Sequence, residues 1–183
     1  RQITFQIQNN HLGYSKLWDK ITELSIKDIK ETYIKLNANF DLWEGERDSF
    51  QYIPEMMEYF ASKGLTYVSE GATVMDVKEE TDDKEVPPVI LQKSDGAYLY
   101  ATTDLATIYS RIKRFNPDEI WYVVDGRQAL HFEQTFRAAR KANLVREDVL
   151  LEHIGFGTMN GKDGKPFKTR DGGVLSLKAL MDL

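Results

Sequence analysis

The chain has 183 residues, enough for one domain or a domain with a small annex, and its 42% hydrophobic and 29% charged residues are ordinary for a globular protein. A formal net charge of −5 argues against a broad basic face that wraps nucleic acid, and the absence of cysteine excludes disulfides and thiolate metal sites. No apolar run reaches membrane-spanning length and the opening residues lack the pattern of a signal peptide, so no membrane partner is expected.

Alternation from Ile3 to Ile7 predicts a short strand or an ordered tail. An apolar stripe of Tyr14, Leu17, Trp18, Ile21 and Leu24 predicts a helix. Ser25, with Asp28 three residues on, forms a weak capping box and predicts a second helix with Ile26, Ile29, Tyr33 and Leu36 buried. Residues 37–48 have no period. A third helix is expected from about Ser49, burying Phe50, Ile53, Met57 and Phe60 and ending at Gly64 in a left-handed cap. Residues 65–69 and 72–77 read as a hairpin turning at Glu70-Gly71, and 78–88 as a charged, exposed loop. Residues 89–93 and 98–100 flank Asp95-Gly96, the strongest hairpin signal in the chain. Thr102 or Thr103 then caps a helix with Leu105, Ile108, Tyr109 and Ile112 on one face, ending before Pro117.

The stretch 119–173 organises the remainder. Residues 119–125 are short, apolar and β-branched, the pattern of a strand buried on both faces. A helix over about 128–143, with Phe132, Phe136 and Ala139 on one face, leads to a second strand over 149–156, a βαβ unit with a right-handed crossover. Just beyond it, residues 162–171 hold four basic against two acidic residues among glycines. A basic loop beyond the carboxyl end of such a strand can hold an anionic ligand, although it also reads as a solvated turn. The chain stops inside an expected helix, which suggests a piece of a longer protein.

Tyr100 at a strand end and Asp104 at a helix start can point into one crevice. A phenol and a carboxylate there suit a planar cation, because a guanidinium offers forked donors that a carboxylate accepts bidentately. The plainer alternative, favoured by spacing alone, is a first-turn acid beside a packed strand residue. Gln128 and His131 follow a strand end, in a first helical turn where polar and anionic ligands bind. A lone histidine is nevertheless more often a partnered structural residue, and His153, inside a strand, reads as structural.

Four strings, in order, carry a resemblance. They are Asn39-Phe-Asp-Leu-Trp-Glu-Gly-Glu46, Lys93-Ser-Asp-Gly-Ala-Tyr-Leu-Tyr-Ala-Thr-Thr-Asp-Leu-Ala106, Tyr122-Val-Val-Asp-Gly-Arg-Gln-Ala-Leu-His131, and His153-Ile-Gly-Phe-Gly-Thr-Met159 with Gly161-Lys-Asp-Gly-Lys-Pro-Phe-Lys-Thr-Arg170. Over essentially its whole length the chain resembles the central part of arginyl-tRNA synthetases of class I. The resemblance implies an α/β fold: a partial Rossmann-type (HUP-like) catalytic core with a helical segment over 1–64, a small β insertion over 65–100, and the second half of the nucleotide-binding fold over 101–183. It implies that Tyr100 and Asp104 hold the guanidinium of L-arginine, that Gln128 helps bind the amino acid, and that His131 lies close by. The backbone at Phe156, Gly157 and Met159 would meet the adenine of ATP. The segment with Lys165, Lys168, Thr169 and Arg170 would close over its phosphates, with Mg2+. Here the family's Lys-Met-Ser-Lys-Ser loop is replaced by Phe167-Lys168-Thr169-Arg170, so its second lysine is missing, and Lys165 and Lys168 are the candidates for the phosphates. His11-Leu-Gly-Tyr14 and His153-Ile-Gly-Phe156 each approach the His-x-Gly-His string of the class but lack its final histidine, and neither stands in the right setting. That element is expected outside the chain, as are the parts that bind tRNA(Arg), so the piece alone is expected to be inactive. With no targeting segment in view, the resemblance implies a cytoplasmic location. Two alternatives stay open: a non-catalytic module that binds arginine or nucleotide, and another class I-type nucleotidyltransferase.

Overall fold

A computed structural model describes residues 11–158 without a break, together with 3, 6, 7, 160, 164, 177 and 181. The chain falls into two units, Arg1–Trp43 with Thr158–Leu183, and Glu44–Gly157.

In the first unit, Ile3, Gln6 and Ile7 have helical backbone, so of the two expectations, a short strand or an ordered tail, the strand does not form at these residues. Helix α1, Leu12–Lys35, is one continuous helix where two were expected. No glycine or proline interrupts it after Gly13, and an interior serine costs a helix only a few tenths of a kcal/mol, so Ser25 does not break it. None of its residues is buried, contrary to the two stripes predicted. It ends at Asn37, whose φ of 51° continues into a bond from the Ala38 amide to the Tyr33 carbonyl. Beyond that end Tyr33, Phe40 and Trp43 form a triangle of rings 5.0–5.8 Å apart, with the Lys30 ammonium 4.8 Å from the Trp43 ring centre.

The second unit opens with a 3-10 helix, Glu46–Tyr52, whose Gly45 amide donates to the Asp48 carboxylate at 2.7 Å. It continues into α2, Ile53–Ser62, with proline in its first turn and Ile53, Met56 and Phe60 buried. Gly64 (φ 65°) ends that helix as expected. Strands β1, Tyr67–Ser69, and β2, Ala72–Met75, turn through Glu70 and Gly71, both at positive φ, and β3, Val89–Gln92, adds antiparallel to β2. The Asp95-Gly96 turn forms, but its second arm is a single bridge from Gln92 to Tyr98 rather than a strand to residue 100. Leu99, extended, is the N-cap, and Tyr100 already opens helix α3, Tyr100–Phe115.

Thr102 and Thr103 therefore do not cap α3. Thr102 is buried and donates to the Leu91 carbonyl, while Thr103 donates to the Tyr100 carbonyl and to Glu46. After Asn116 (φ 43°) come β4, Glu119–Asp125, a 3-10 turn at Gly126–Gln128, α4, Ala129–Lys141, and β5, Leu150–Phe156. β4 and β5 are parallel and in register from Glu119–Leu150 to Asp125–Phe156. Burial alternates along β4: Ile120 is buried, whereas Trp121 (55% exposed) and Val123 (61%) are not. Among the described residues this strand is covered on one face, not two.

One core joins α2, the antiparallel sheet, α3 and α4 through Met56, Phe60, Met75, Leu91, Leu105, Ile108 and Ala138. The charged stretch after β2 is not a free loop. Gln134 on α4 donates to the Pro87 carbonyl at 2.9 Å, Arg137 grips Asp82 with both terminal nitrogens (2.7 and 2.8 Å), and Lys141 donates to the Asp76 carbonyl at 2.7 Å. The guanidinium beside it holds the Asp82 carboxyl below the usual range.

Gly155 sits where β5 crosses the turn after β4. A Cβ there would lie 3.0 Å from the Cα of Gly126. Gly155→Ala should therefore force a backbone shift and cost about 1–3 kcal/mol, read as a lower urea midpoint at an unchanged slope.

Candidate functional site

Helix α3 carries two opposed faces. Leu105, Ile108 and the partly buried Tyr109 and Ile112 face the core, as their spacing predicts. The other face presents Tyr100, Thr103, Asp104, Thr107, Ser110, Arg111 and Arg114 to a cavity of about 500 Å3. The far walls come from Glu44, Gly45, Glu46, Asp48 and Ser49 at the start of the unit, from Tyr122 and Val124 on β4, and from Gln128, His131 and Phe132 around the start of α4.

All four residues singled out for an amino-acid ligand, Tyr100, Asp104, Gln128 and His131, line this one cavity. Tyr100 is the first residue of α3 and 72% exposed, so it is a rim residue and not a packed strand residue. Asp104 lies beyond the first turn, which holds no acid, so the helix dipole is not its reason for being there. Its Oδ2 lies 2.7 Å from His131 Nε2. Gln128 closes the 3-10 turn and is the N-cap residue of α4.

The cavity is acidic on balance: Glu44, Glu46, Asp48 and Asp104 against Arg111 and Arg114. Arg114 is already committed, 2.6 Å from Glu44, and its hydrogen bond holds that carboxyl below the usual range. Glu46 accepts from Thr103 at 3.0 Å. The Arg111 guanidinium carbon stands over the Tyr122 ring, 5.1 Å from its centre. What the lining offers is a pocket for a small cation with hydrogen-bond donors, wide enough for an amino acid.

Sequence reasoning gave no role to Glu44, Glu46, Arg111, Arg114 or Tyr122. For Arg111 and Arg114 the signal was present. Asp104, Thr107, Arg111 and Arg114 recur at three- and four-residue steps, the polar counterpart of the apolar stripe. Glu44 and Glu46 stand in a stretch without period, where spacing carries no information.

Tyr122 backs the cavity against Phe132 and Phe136, at ring distances of 4.6 and 5.7 Å. Burial pushes its phenol up to about 12, with the Asp104 charge adding to the shift and Arg111 opposing it. Its hydroxyl is buried and has no hydrogen-bond partner among the described residues. Tyr122→Phe should thus leave stability unchanged or raise it by up to about 1 kcal/mol at neutral pH. The unfolded phenol ionises near 10.0 and the folded one near 12, so the wild type loses stability as pH rises through that window. The phenylalanine variant should lack that loss, which urea midpoints at about pH 8 and about pH 11 would read.

Phe156 and Gly157 stand at the carboxyl end of β5, apart from the cavity lining. Phe156 is exposed, and a Cβ on Gly157 would meet nothing within 4 Å. Met159, Lys165, Lys168, Thr169 and Arg170 lie outside the described residues. Among the described residues no three metal-ligating side chains cluster, and no helix is long and apolar enough to cross a membrane.

Comparison with known proteins adds an independent line. The family described as tRNA synthetases class I (R), catalytic domain, matches residues 1–183. The chain is 54% identical over 97% of its length to an arginine–tRNA ligase of Agathobacter rectalis, and 50% identical over its full length to one of Alkaliphilus oremlandii. It spans only about 30% of the length of these curated relatives. Among solved structures, the arginyl-tRNA synthetase of Plasmodium falciparum superposes with a TM-score of 0.75 at 27% identity, over 86% of this chain and 27% of that one. The Thermus thermophilus arginyl-tRNA synthetase superposes with a TM-score of 0.62 at 16% identity, over 88% of this chain and 36% of that one, a likeness of fold.

Proposed function

The chain belongs to the class I tRNA synthetase (R) catalytic-domain family, and on that premise we propose that the protein carrying it joins L-arginine to tRNA(Arg) at the expense of ATP. The observation that carries the reading is the cavity itself: an acidic pocket of amino-acid size with Asp104, Tyr100 and Gln128 on its walls. Asp104 accepts from the guanidinium, and the Tyr100 and Gln128 side chains supply further polar contacts. A site built to satisfy a planar fork leaves its polar groups underpaired when lysine enters, which is how arginine is selected.

In the proposed reaction the arginine carboxylate attacks the α-phosphorus of ATP, the α–β phosphoanhydride breaks, and pyrophosphate leaves arginyl-adenylate. The 3′ end of tRNA then takes the arginyl group and AMP departs. The protein's share is alignment and charge stabilisation. Phe156, Gly157 and Met159 receive the adenine. Lys165 and Lys168, with Thr169 and Arg170, meet the phosphates as charge builds on the leaving group. Mg2+ belongs to this reading as a companion of the ATP phosphates, with no site of side-chain ligands assigned to it. Contacts to tRNA(Arg) fall mostly outside these 183 residues, and the protein acts in the cytoplasm. The 183-residue chain alone does not aminoacylate, because neither of its His-x-Gly strings ends in the second histidine.

Amino-acid-dependent exchange of pyrophosphate into ATP, with tRNA present, tests the reading in the full natural chain that carries this sequence. Exchange driven by arginine and not by lysine supports it. Exchange driven by another carboxylate would indicate a different nucleotidyltransferase, and arginine binding without exchange a non-catalytic module.

A further inference from the structure

We propose that His131 is a positioning residue for Asp104: it fixes the carboxylate in the attitude that receives a guanidinium, and thereby sets the preference for arginine over lysine. The inference rests on the reading above that Asp104 is the guanidinium acceptor.

A carboxylate only accepts, so at 2.7 Å from Asp104 Oδ2 the Nε2 of His131 carries the proton and donates it. The two residues stand on different helices, α3 and α4, and their side chains are only 28% and 29% exposed. This is a sheltered bond that ties the two walls of the cavity together. The imidazole is itself held. Phe132 meets its ring edge-on at 5.0 Å and 81°, and Phe132 is in turn packed by the Tyr122 and His153 rings at 4.6 and 5.2 Å. One turn on, Thr135 donates to the His131 carbonyl at 2.8 Å. Asp104 thus has a rigid partner on one oxygen, while Oδ1 accepts no hydrogen bond from the described residues.

That asymmetry bears on selectivity. A guanidinium presents its donors in a fixed plane, so it needs the free oxygen at a defined angle to the other polar groups of the pocket, Tyr100 and Gln128. An ammonium on a flexible stem follows a carboxylate through any torsion. Releasing the Asp104 side chain therefore penalises arginine more than lysine.

The test uses the full natural chain with L-arginine and L-lysine as probes, in equilibrium titrations and in steady-state exchange kinetics. Extended glutamine places its amide nitrogen where Nε2 stands, whereas asparagine reaches only the position of Nδ1. His131→Ala and His131→Asn should weaken arginine binding about tenfold and lysine binding less than about twofold, raising KM with kcat nearly unchanged, and His131→Gln should restore most of the loss. Equal losses in the glutamine and asparagine variants would overturn the proposal, leaving His131 a packing residue. So would an arginine affinity untouched by His131→Ala, or an equal loss for both amino acids. Asp104→Ala separates the premise: if that variant binds arginine as the wild type does, the guanidinium site is elsewhere and both readings fall.

Discussion

Asp104→Asn should weaken arginine binding by at least roughly 30- to 150-fold, the loss of about 2–3 kcal/mol expected when a charge-assisted hydrogen bond to the guanidinium is removed. Asparagine is the informative choice. It matches the carboxylate in shape and its single oxygen can accept from His131 Nε2, so the bond between α3 and α4 survives, while the ligand meets an NH2 donor where the free carboxylate oxygen stood. The side chain is about a quarter exposed, so the full penalty of a buried, broken ion pair does not apply. Calorimetric titration of the full natural chain reads the result directly, with the unfolding midpoint as a control for folding. An affinity within about threefold of the wild type would mean that the pocket does not use this carboxylate.

Phe60→Ala should cost about 3–5 kcal/mol of stability, the usual range for removing a buried aromatic ring. Phe60 is fully buried between α2 and the rest of the core, with Met56, Met75 and Leu105 in the same cluster. Against a total of about 5–15 kcal/mol, that loss takes the unit to the margin of folding, with an unfolding midpoint lower by roughly 10–20 °C. Phe156→Ala makes the same chemical change where the ring is 55% exposed, and should cost under about 1 kcal/mol. Paired denaturation curves check both.

Most of the second unit could be read from its residues. The reason is local: Gly64, Gly71 and Gly96 stand at positive φ, where glycine is favoured, the stripe at Leu105–Ile108 has the helical period, and the short β-branched run 119–125 marks a strand even though it misstates its burial. Errors arose where a local cue met a stronger neighbour. Thr102 is a good cap by type, but a buried carbonyl at Leu91 claims its hydroxyl. Ser25 is a good cap by type, but nothing stops the helix that runs through it. The burial predicted for β4 assumed a covered sheet, whereas the described part of this chain supplies a cover on one face only. In the site, Tyr100, Gln128 and His131 stand at or within three residues of an element boundary, whereas Asp104 lies beyond the first turn of α3, where spacing alone favoured a plainer role and the resemblance singled it out. The Asp104–His131 bond, and the strap of residues 76–88 across α4, join segments far apart in sequence, and no window of sequence shows such a contact.

The distances along the chain between those partners set an order of assembly. A growing chain can close β1 on β2 as soon as both have emerged, because their partners are separated by a two-residue turn. Among the described residues β4 finds its parallel neighbour only once residue 150 has emerged, and the Tyr59 hydroxyl waits for the Ala142 carbonyl, 83 residues downstream. A polypeptide interrupted after α3 therefore carries Asp104 and the wall from Glu44 to Ser49, without the His131 imidazole and without the wall from β4 and α4. The cavity described above is complete only once β4 and the start of α4 have joined α3, so its shape belongs to the assembled unit and to no single contiguous segment.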